Sequence, residues 1–124
     1  MKPRLGEDMS EDELKKAVLD LCKTLHLRTA HFRPARTEQG WRTPVEGDGQ
    51  GWPDLVIAGP GGALFRELKS RTGRVEPDQK VWLSVLTAAG ENAGVWRPID
   101  LLNGTIGQEL NAIRRRPRRA TPMR

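Results

Sequence analysis

The sequence predicts an α/β fold whose elements follow the order α-β-β-β-α-β, with one further helix at the end. Three observations support this class. Apolar residues recur at helical spacing over residues 10–26. The strand-like runs "DLVIA" and "ALFRELKS" are joined by the turn "GPGG". Pro77 then opens a second run of helical spacing that ends at Gly90. The 124 residues suit one domain.

The first helix is marked by a capping box, because Ser10 is followed three residues later by Glu13. One face of this helix is apolar and carries Leu14, Ala17, Val18, Leu21, Cys22 and Leu25. "LRTAHFR", at residues 27–33, predicts a short strand. Residues 34–52 contain several Gly and Pro residues and predict a long loop, which in a compact domain is usually functional or disordered.

The C-terminal part adds a strand and a helix. "AGVWRP" predicts the fourth strand, and Thr105 with Gln108 predicts a capped helix that runs toward Ile113. We therefore expect one domain over residues 10–113, an N-terminal extension over 1–9, and a basic, disordered tail over 114–124.

The formal net charge of +5 comes mostly from that tail. Residues 114–124 hold six Arg and no acid, and without them residues 1–113 carry a net charge of −1. Such a tail binds polyanions without reading sequence, which supports nucleic acid as a partner. A purely solubilising tail is the alternative.

Cys22 is the only cysteine, which excludes an intrachain disulfide, and no run of 18 apolar residues occurs. The first residues lack the apolar stretch of a signal peptide. We expect a cytoplasmic protein without a membrane partner.

The hairpin places two acids face to face. If Gly59, Pro60, Gly61 and Gly62 form the turn, then Leu55 pairs with Arg66 and the next pair is Asp54 with Glu67. Directly opposed residues of an antiparallel pair have Cβ atoms about 5 Å apart, and like charges there are destabilising without compensation.

A divalent cation would compensate the two carboxylates, because hard cations prefer oxygen ligands. Lys69 shares a face with Glu67 and adds a positive charge to the same pocket. Two carboxylates, a metal and a nearby cation suit phosphodiester hydrolysis. The alternative is an exposed hairpin face on which Lys69 forms a salt bridge with Glu67 or Asp54.

These residues resemble a known superfamily. Pro53-Asp54 and Glu67-Leu68-Lys69, followed by P-x-Q at residues 77–79 and W-R-P at residues 96–98, are similar to the PD-(D/E)XK nucleases. More narrowly, residues 10–102 look like the VRR-NUC branch, in its small stand-alone bacteriophage type. The resemblance implies a restriction-endonuclease-like core with a central mixed sheet flanked by helices.

The resemblance also implies roles for individual residues. Mg²⁺ or Mn²⁺ is expected on Asp54, Glu67 and the backbone carbonyl of Leu68, with Lys69 as the catalytic lysine. Gln79 is expected to support Lys69 or a metal-bound water. The alternative for Gln79 is a plain polar residue in the first turn of a helix. No small organic cofactor is expected.

The family further places an acid on the first helix, where Glu11 and Glu13 compete. Glu11 falls close to the apolar stripe, whereas Glu13 falls well off it and suits the capping box. We therefore favour Glu11 as the metal-site acid, acting directly or through water. The alternative is that both acids only stabilise the helix N-terminus.

Two further groups predict DNA contacts, because Arg suits phosphate and Trp can stack on an unpaired base. They are His31, Arg33, Arg36, Trp41 and Arg42 before the hairpin, and Arg71 and Arg74 after it. A solvated charged face is the alternative for the second group.

The sequence therefore predicts a metal-dependent DNA endonuclease. By resemblance, it would work as a homodimer on branched DNA such as Holliday junctions or flaps. The rivals are a non-catalytic nucleic-acid-binding module and a small basic structural protein. A protein that only binds nucleic acid has no need for the set of Asp54, Glu67 and Lys69. The net charge of −1 on residues 1–113 argues against a basic structural protein.

Overall fold

The computed structural model describes residues 6–32 and 46–116, together with the backbone of residues 35–37 and 40–42. A 3₁₀ turn at Gly6–Asp8 precedes the first helix. The helices are α1 (Glu11–Thr24), α2 (Pro77–Ala88), α3 (Pro98–Leu102) and α4 (Thr105–Arg114). The strands are β1 (Arg28–His31), β2 (Ala35–Thr37), β3 (Gly40–Arg42), β4 (Leu55–Gly59), β5 (Gly62–Leu68) and β6 (Asn92–Trp96).

Four strands form the main sheet, in the order β1-β4-β5-β6. The β1–β4 and β4–β5 pairs are antiparallel, whereas β5 and β6 are parallel. A parallel pair needs a crossover connection, and α2 supplies it. The predicted α/β class with a mixed sheet flanked by helices is confirmed.

The central hairpin has the predicted register. Gly59 pairs with Gly62 across the turn, and the ladder ends with Leu55 opposite Arg66. The C-terminal end of α4 packs on this turn, where Gly61 donates its N–H to the carbonyl of Ile113 at 2.9 Å. A Cβ at position 61 would collide with the backbone of Arg115, so this approach requires glycine.

The core lies between the sheet and helices α1 and α4. The sheet contributes buried Leu55, Ile57, Leu64, Leu68 and Trp96, while the two helices contribute Leu14, Val18, Cys22, Ile106, Leu110 and Ile113. The predicted capping box begins α1, with Ser10 and Glu13 each bonding the backbone of the other. Burial raises the pKa of the Cys22 thiol to about 11, so it stays protonated at neutral pH.

Three parts of the sequence-based prediction were wrong. Thr105 does not cap α4 with Gln108, because Gly104 is the N-cap, Thr105 is the first helical residue and no side chain caps the helix. The segment predicted as a long loop contains the antiparallel pair β2–β3. The segment after β6 contains the short helix α3, which was not predicted. Strands of three residues and a helix of five are too short for a periodic pattern to develop. None of the helices in the described part of the chain has the length and apolarity to cross a lipid bilayer.

Candidate active site

Asp54 is fixed just before β4 by contacts on both sides. Its carbonyl accepts the N–H of Phe32 at 2.8 Å, which continues the β1–β4 pairing by one residue. Its carboxylate Oδ2 accepts the N–H of Leu68 at 2.9 Å. The side chain of Asp54 therefore reaches across to β5, where Glu67 precedes Leu68. This arrangement brings the two acids together, as the hairpin register predicts.

Glu67 is an acid buried inside the site. Its side chain is 1% exposed, and its Oε2 is buried and accepts no hydrogen bond from any described donor. Burial, together with the adjacent Asp54 carboxyl, raises the pKa of Glu67 to about 9, against the opposing effect of Lys69. A proton or a bound cation between the two carboxyl groups is required to offset their mutual repulsion.

Lys69 lies directly beyond β5. Its N–H donates to the carbonyl of Trp96 at 3.0 Å, and its Nζ is 3.8 Å from Oε1 of Glu67. The alternative of an exposed ion pair on the hairpin surface does not hold, because the Lys69 side chain is only 11% exposed. The ammonium group stands at the edge of the acid pair.

Gln79 joins the acid pair to the start of α2. Its Nε2 donates to Oε1 of Glu67 at 2.6 Å, while its Oε1 accepts the N–H of Glu76 at 2.8 Å. The sequence predicted a glutamine near the site but not its contact with Glu67, because that contact spans two elements. Its support of Lys69 or of a metal-bound water stays a prediction.

The two acids of α1 separate as their helical positions suggest. Glu13 accepts the N–H of Ser10 at 3.1 Å and belongs to the cap. Glu11 has an exposed side chain. Partial burial and the negative charge of Asp54 raise the pKa of Glu11, and Lys69 opposes them. Glu11 is therefore close enough to Asp54 and Lys69 for their charges to affect its carboxyl group.

An aromatic cluster supports the segment that leads into Asp54. The ring of Trp52 meets Phe32, Phe65 and Trp82 edge to face, with centroid distances of 6.0, 5.8 and 4.9 Å. Such pairs add stability beyond the apolar area that they bury. Trp52 therefore links the residue that follows β1 to β5 and α2, next to Pro53-Asp54. In the sequence, this role of Trp52 was indicated only by its position next to Pro53-Asp54.

The predicted DNA contacts divide into three groups. His31 ends β1 opposite Leu55, next to the Asp54 backbone. Arg71 and Arg74 are exposed on the segment after Lys69. Arg33 and the side chains of Arg36, Trp41 and Arg42 lie outside the described residues.

The chemistry of the acid pair fits a hard divalent cation. A buried carboxylate oxygen that none of the described donors reaches, next to a second carboxylate, is an incomplete oxygen site. Within the described ranges, no three His, Cys, Asp or Glu side chains group closely enough to bind an ion by themselves. A metal here would therefore take its other ligands from a backbone carbonyl, water or substrate, as Mg²⁺ often does.

Comparison with solved structures finds a chain with a similar fold. The chain is similar to a protein described as "VRR_NUC domain protein", with a TM-score of 0.56 and 26% sequence identity. The match covers 87% of this chain and 92% of that chain. No family model and no curated protein sequence matches the chain. The resemblance to VRR_NUC domain proteins is thereby confirmed, and the chain has the nuclease-type, restriction-endonuclease-like fold of that group.

Proposed function

We propose that this protein is a divalent-metal-dependent DNA endonuclease that hydrolyses phosphodiester bonds. The observation that carries the proposal is the buried acid pair with its lysine. Glu67 is held beside Asp54 at a pKa of about 9, and Lys69 Nζ stands 3.8 Å from Glu67. Burying two acids next to each other costs free energy, so their presence together favours a site that binds a cation.

Asp54, Glu67 and the carbonyl of Leu68 would hold the metal, with Glu11 joining directly or through water. The metal, Mg²⁺ or Mn²⁺, would polarise a phosphoryl oxygen and lower the pKa of a bound water. Gln79 keeps the Glu67 carboxylate in one orientation.

Lys69 is the cationic group of the proposed reaction. Its ammonium stands beside the acids, where negative charge grows on the phosphate as water attacks, and it stabilises that charge. The bond between phosphorus and the 3′ oxygen, opposite the attacking water, would then break as the water oxygen bonds to phosphorus. The water loses a proton to solvent and the leaving 3′ oxygen takes one up, so that by family resemblance one product carries a 5′-phosphate and the other a 3′-hydroxyl.

We further propose a homodimer acting on branched DNA. The described part of one chain contains one acid pair, so cutting two strands in one encounter would require two copies. Helix α2 supports this assembly, because it exposes Val81 and Val85 at 61% and 54%.

A cleavage assay tests the proposal. Labelled single-stranded, duplex, flap and four-way-junction DNA is incubated with Mg²⁺, Mn²⁺ or EDTA. We expect metal-dependent cutting that Asp54→Asn and Lys69→Met abolish. Lys23→Met, at the far end of α1, is the matched control and should cut like the wild type. Binding without cutting under either metal would leave a non-catalytic nucleic-acid-binding module as the better explanation.

A further inference from the structure

The loop of residues 70–73 follows Lys69 directly and folds back beside it. The N–H of Gly73 donates to the carbonyl of Ser70 at 3.2 Å and closes a turn. A Cβ at position 73 would lie 3.1 Å from Ser70 Oγ and 3.4 Å from Lys69 Cβ, which is a tight fit. Glycine therefore lets this turn lie against Lys69, while Arg71 and Thr72 remain exposed.

One guanidinium group holds the 70–73 loop from behind. Nη1 of Arg97 donates to the carbonyl of Ser70 at 2.7 Å and to that of Gly73 at 2.8 Å. The carbonyl of Arg71 lies farther away, at 3.4 Å. Hydrogen bonds from a charged donor are about twice as strong as neutral ones. Arg97 thus clamps both ends of the turn.

Arg97 is itself held in place. It precedes α3 as its N-cap, and its N–H donates to Oδ2 of Asp100 at 2.7 Å. Its neighbours Trp96 and Pro98 are buried. The carbonyl of Trp96 also accepts the N–H of Lys69. The loop, the Lys69 backbone and Arg97 are therefore joined in one hydrogen-bonded unit.

Ser70, Arg71 and Thr72 line one wall of a recess of about 400 Å³, which Glu7 also lines. The facing wall includes Glu11, and Asp8 also lines the recess. Nε of Arg71 is 3.7 Å from Oδ1 of Asp8, and both side chains are exposed. Exposed pairs of this kind have little net energy, so a phosphate can replace Asp8 as the partner of Arg71.

We propose that Arg97 is a positioning residue, which holds the 70–73 loop so that Arg71 binds a DNA phosphate next to the scissile bond. This inference rests on the proposed nuclease function. It assigns a phosphate contact to the exposed Arg71 and identifies Arg97 as the residue that keeps the loop of Arg71 formed.

A double-mutant cycle tests the inference. Binding of fluorescent duplex and four-way-junction DNA is measured by anisotropy in EDTA, which prevents metal-dependent cutting. We expect Arg71→Ala and Arg97→Ala each to raise the Kd about tenfold, and the double variant to add little more, because both remove one contact. Arg97→Lys should restore part of the affinity, since lysine keeps a charged donor but not the shape and reach of the guanidinium group. Independent, multiplicative losses, or an Arg97→Ala protein that binds like the wild type, would overturn the inference.

Amide hydrogen exchange separates a local effect from unfolding. In Arg97→Ala, peptides covering residues 69–74 should exchange about tenfold faster, while those of α1 keep the wild-type rate. If Arg97→Ala does not fold, Arg97→Gln takes its place in the cycle and in the exchange experiment. It keeps one donor and should give intermediate values for both DNA affinity and loop exchange. Wild-type values for Arg97→Gln would contradict the inference.

The two proposals fail in different ways. If the wild type cuts no DNA with either metal, the nuclease proposal fails. If the wild type cuts DNA but the Arg97 variants bind it unchanged, only the positioning role fails. If the wild type binds no DNA, both are overturned.

Discussion

Nε2 of Gln79 donates a hydrogen bond to Oε1 of Glu67 over 2.6 Å. The orientation of this amide is fixed by its other end, since the N–H of Glu76 can only donate and therefore requires the Gln79 oxygen. The first turn of α2 thus determines the position of a carboxylate on β5. A helix that serves as the crossover of the sheet also orients the candidate site.

Gln79→Met tests this link, because methionine has a similar volume and no donor. We expect kcat/KM for DNA cleavage to fall by about 10- to 100-fold, as expected for the loss of a hydrogen bond to a charged group. Ser84→Ala, on the exposed side of α2, is the control and should leave kcat/KM unchanged. Equal cleavage by Gln79→Met and the wild type would show that the contact has no role in catalysis.

Glu67 should make stability depend on pH when metal is absent. Its pKa is raised from 4.5 to about 9 in the folded state, so the folded protein keeps a proton that the unfolded chain loses. The free energy of unfolding should therefore fall as pH rises from 5 to 8.5, by at most about 1.4 kcal/mol per pH unit from this group. Urea denaturation in EDTA at several pH values measures this slope.

Glu67→Gln should remove that slope. A glutamine at this position still accepts from Gln79 and can donate to Asp54, so it satisfies the site without a charge. We expect it to be more stable than the wild type at pH 8.5 in EDTA, by an amount that shrinks toward pH 5. The same slope in both proteins would show that Glu67 is not the group responsible.

A bound metal ion should offset the repulsion between the carboxylates of Asp54 and Glu67. Mg²⁺ or Mn²⁺ at 100 times its Kd should stabilise the wild type by about 2.7 kcal/mol at pH 8, because only the folded chain holds the acid pair together. Asp54→Asn should lose most of this gain. An equal rise in Tm for wild type and Asp54→Asn would place the bound ion elsewhere on the protein.

The two acids of α1 should behave in opposite ways. Glu13→Ala removes the capping-box partner and should lower the free energy of unfolding by about 0.5–1 kcal/mol, while cleavage at 25 °C stays close to wild type. Glu11→Gln should reduce the cleavage rate severalfold with little change in stability. Thermal melts and single-turnover assays on both variants separate the roles. The reverse pattern would make Glu13 the acid of the site.

The exposed face of α2 provides a test of the homodimer. Val85→Lys places a charge beside Val81 and should convert a dimer into monomers in analytical ultracentrifugation. Thr87→Lys, on the same helix, is the matched control for added charge. A wild-type protein that sediments as a monomer at micromolar concentration would reject the dimer.

The pairing of Asp54 with Glu67 was predictable because a single turn determines which residues of the hairpin lie opposite each other. "GPGG" allows few turn geometries, and the turn then fixes every later pair up to Asp54 and Glu67. Apolar spacing likewise predicted α1 and its cap. These features depend on neighbours in sequence.

The features that were missed depend on distant neighbours or on the main chain. Arg97 contacts carbonyl oxygens 24 to 27 residues away, and every residue type has a carbonyl, so the sequence contains no sign of that contact. The contact of Gln79 with Glu67 likewise depends on how α2 packs beside β5. Packing between elements is decided by tertiary structure, which a pattern in one segment does not encode.

Because Arg97 holds the 70–73 loop, the conformation of the loop depends little on the side chains that the loop carries. Arg97 recognises main-chain oxygens and none of the side chains at positions 70 to 72. Those side chains can therefore change without removing the hydrogen bonds that hold the turn. Substitutions at positions 70 to 72, natural or selected in the laboratory, can therefore alter the preference for one nucleic acid over another. The hydrolytic residues stay in place when these positions change.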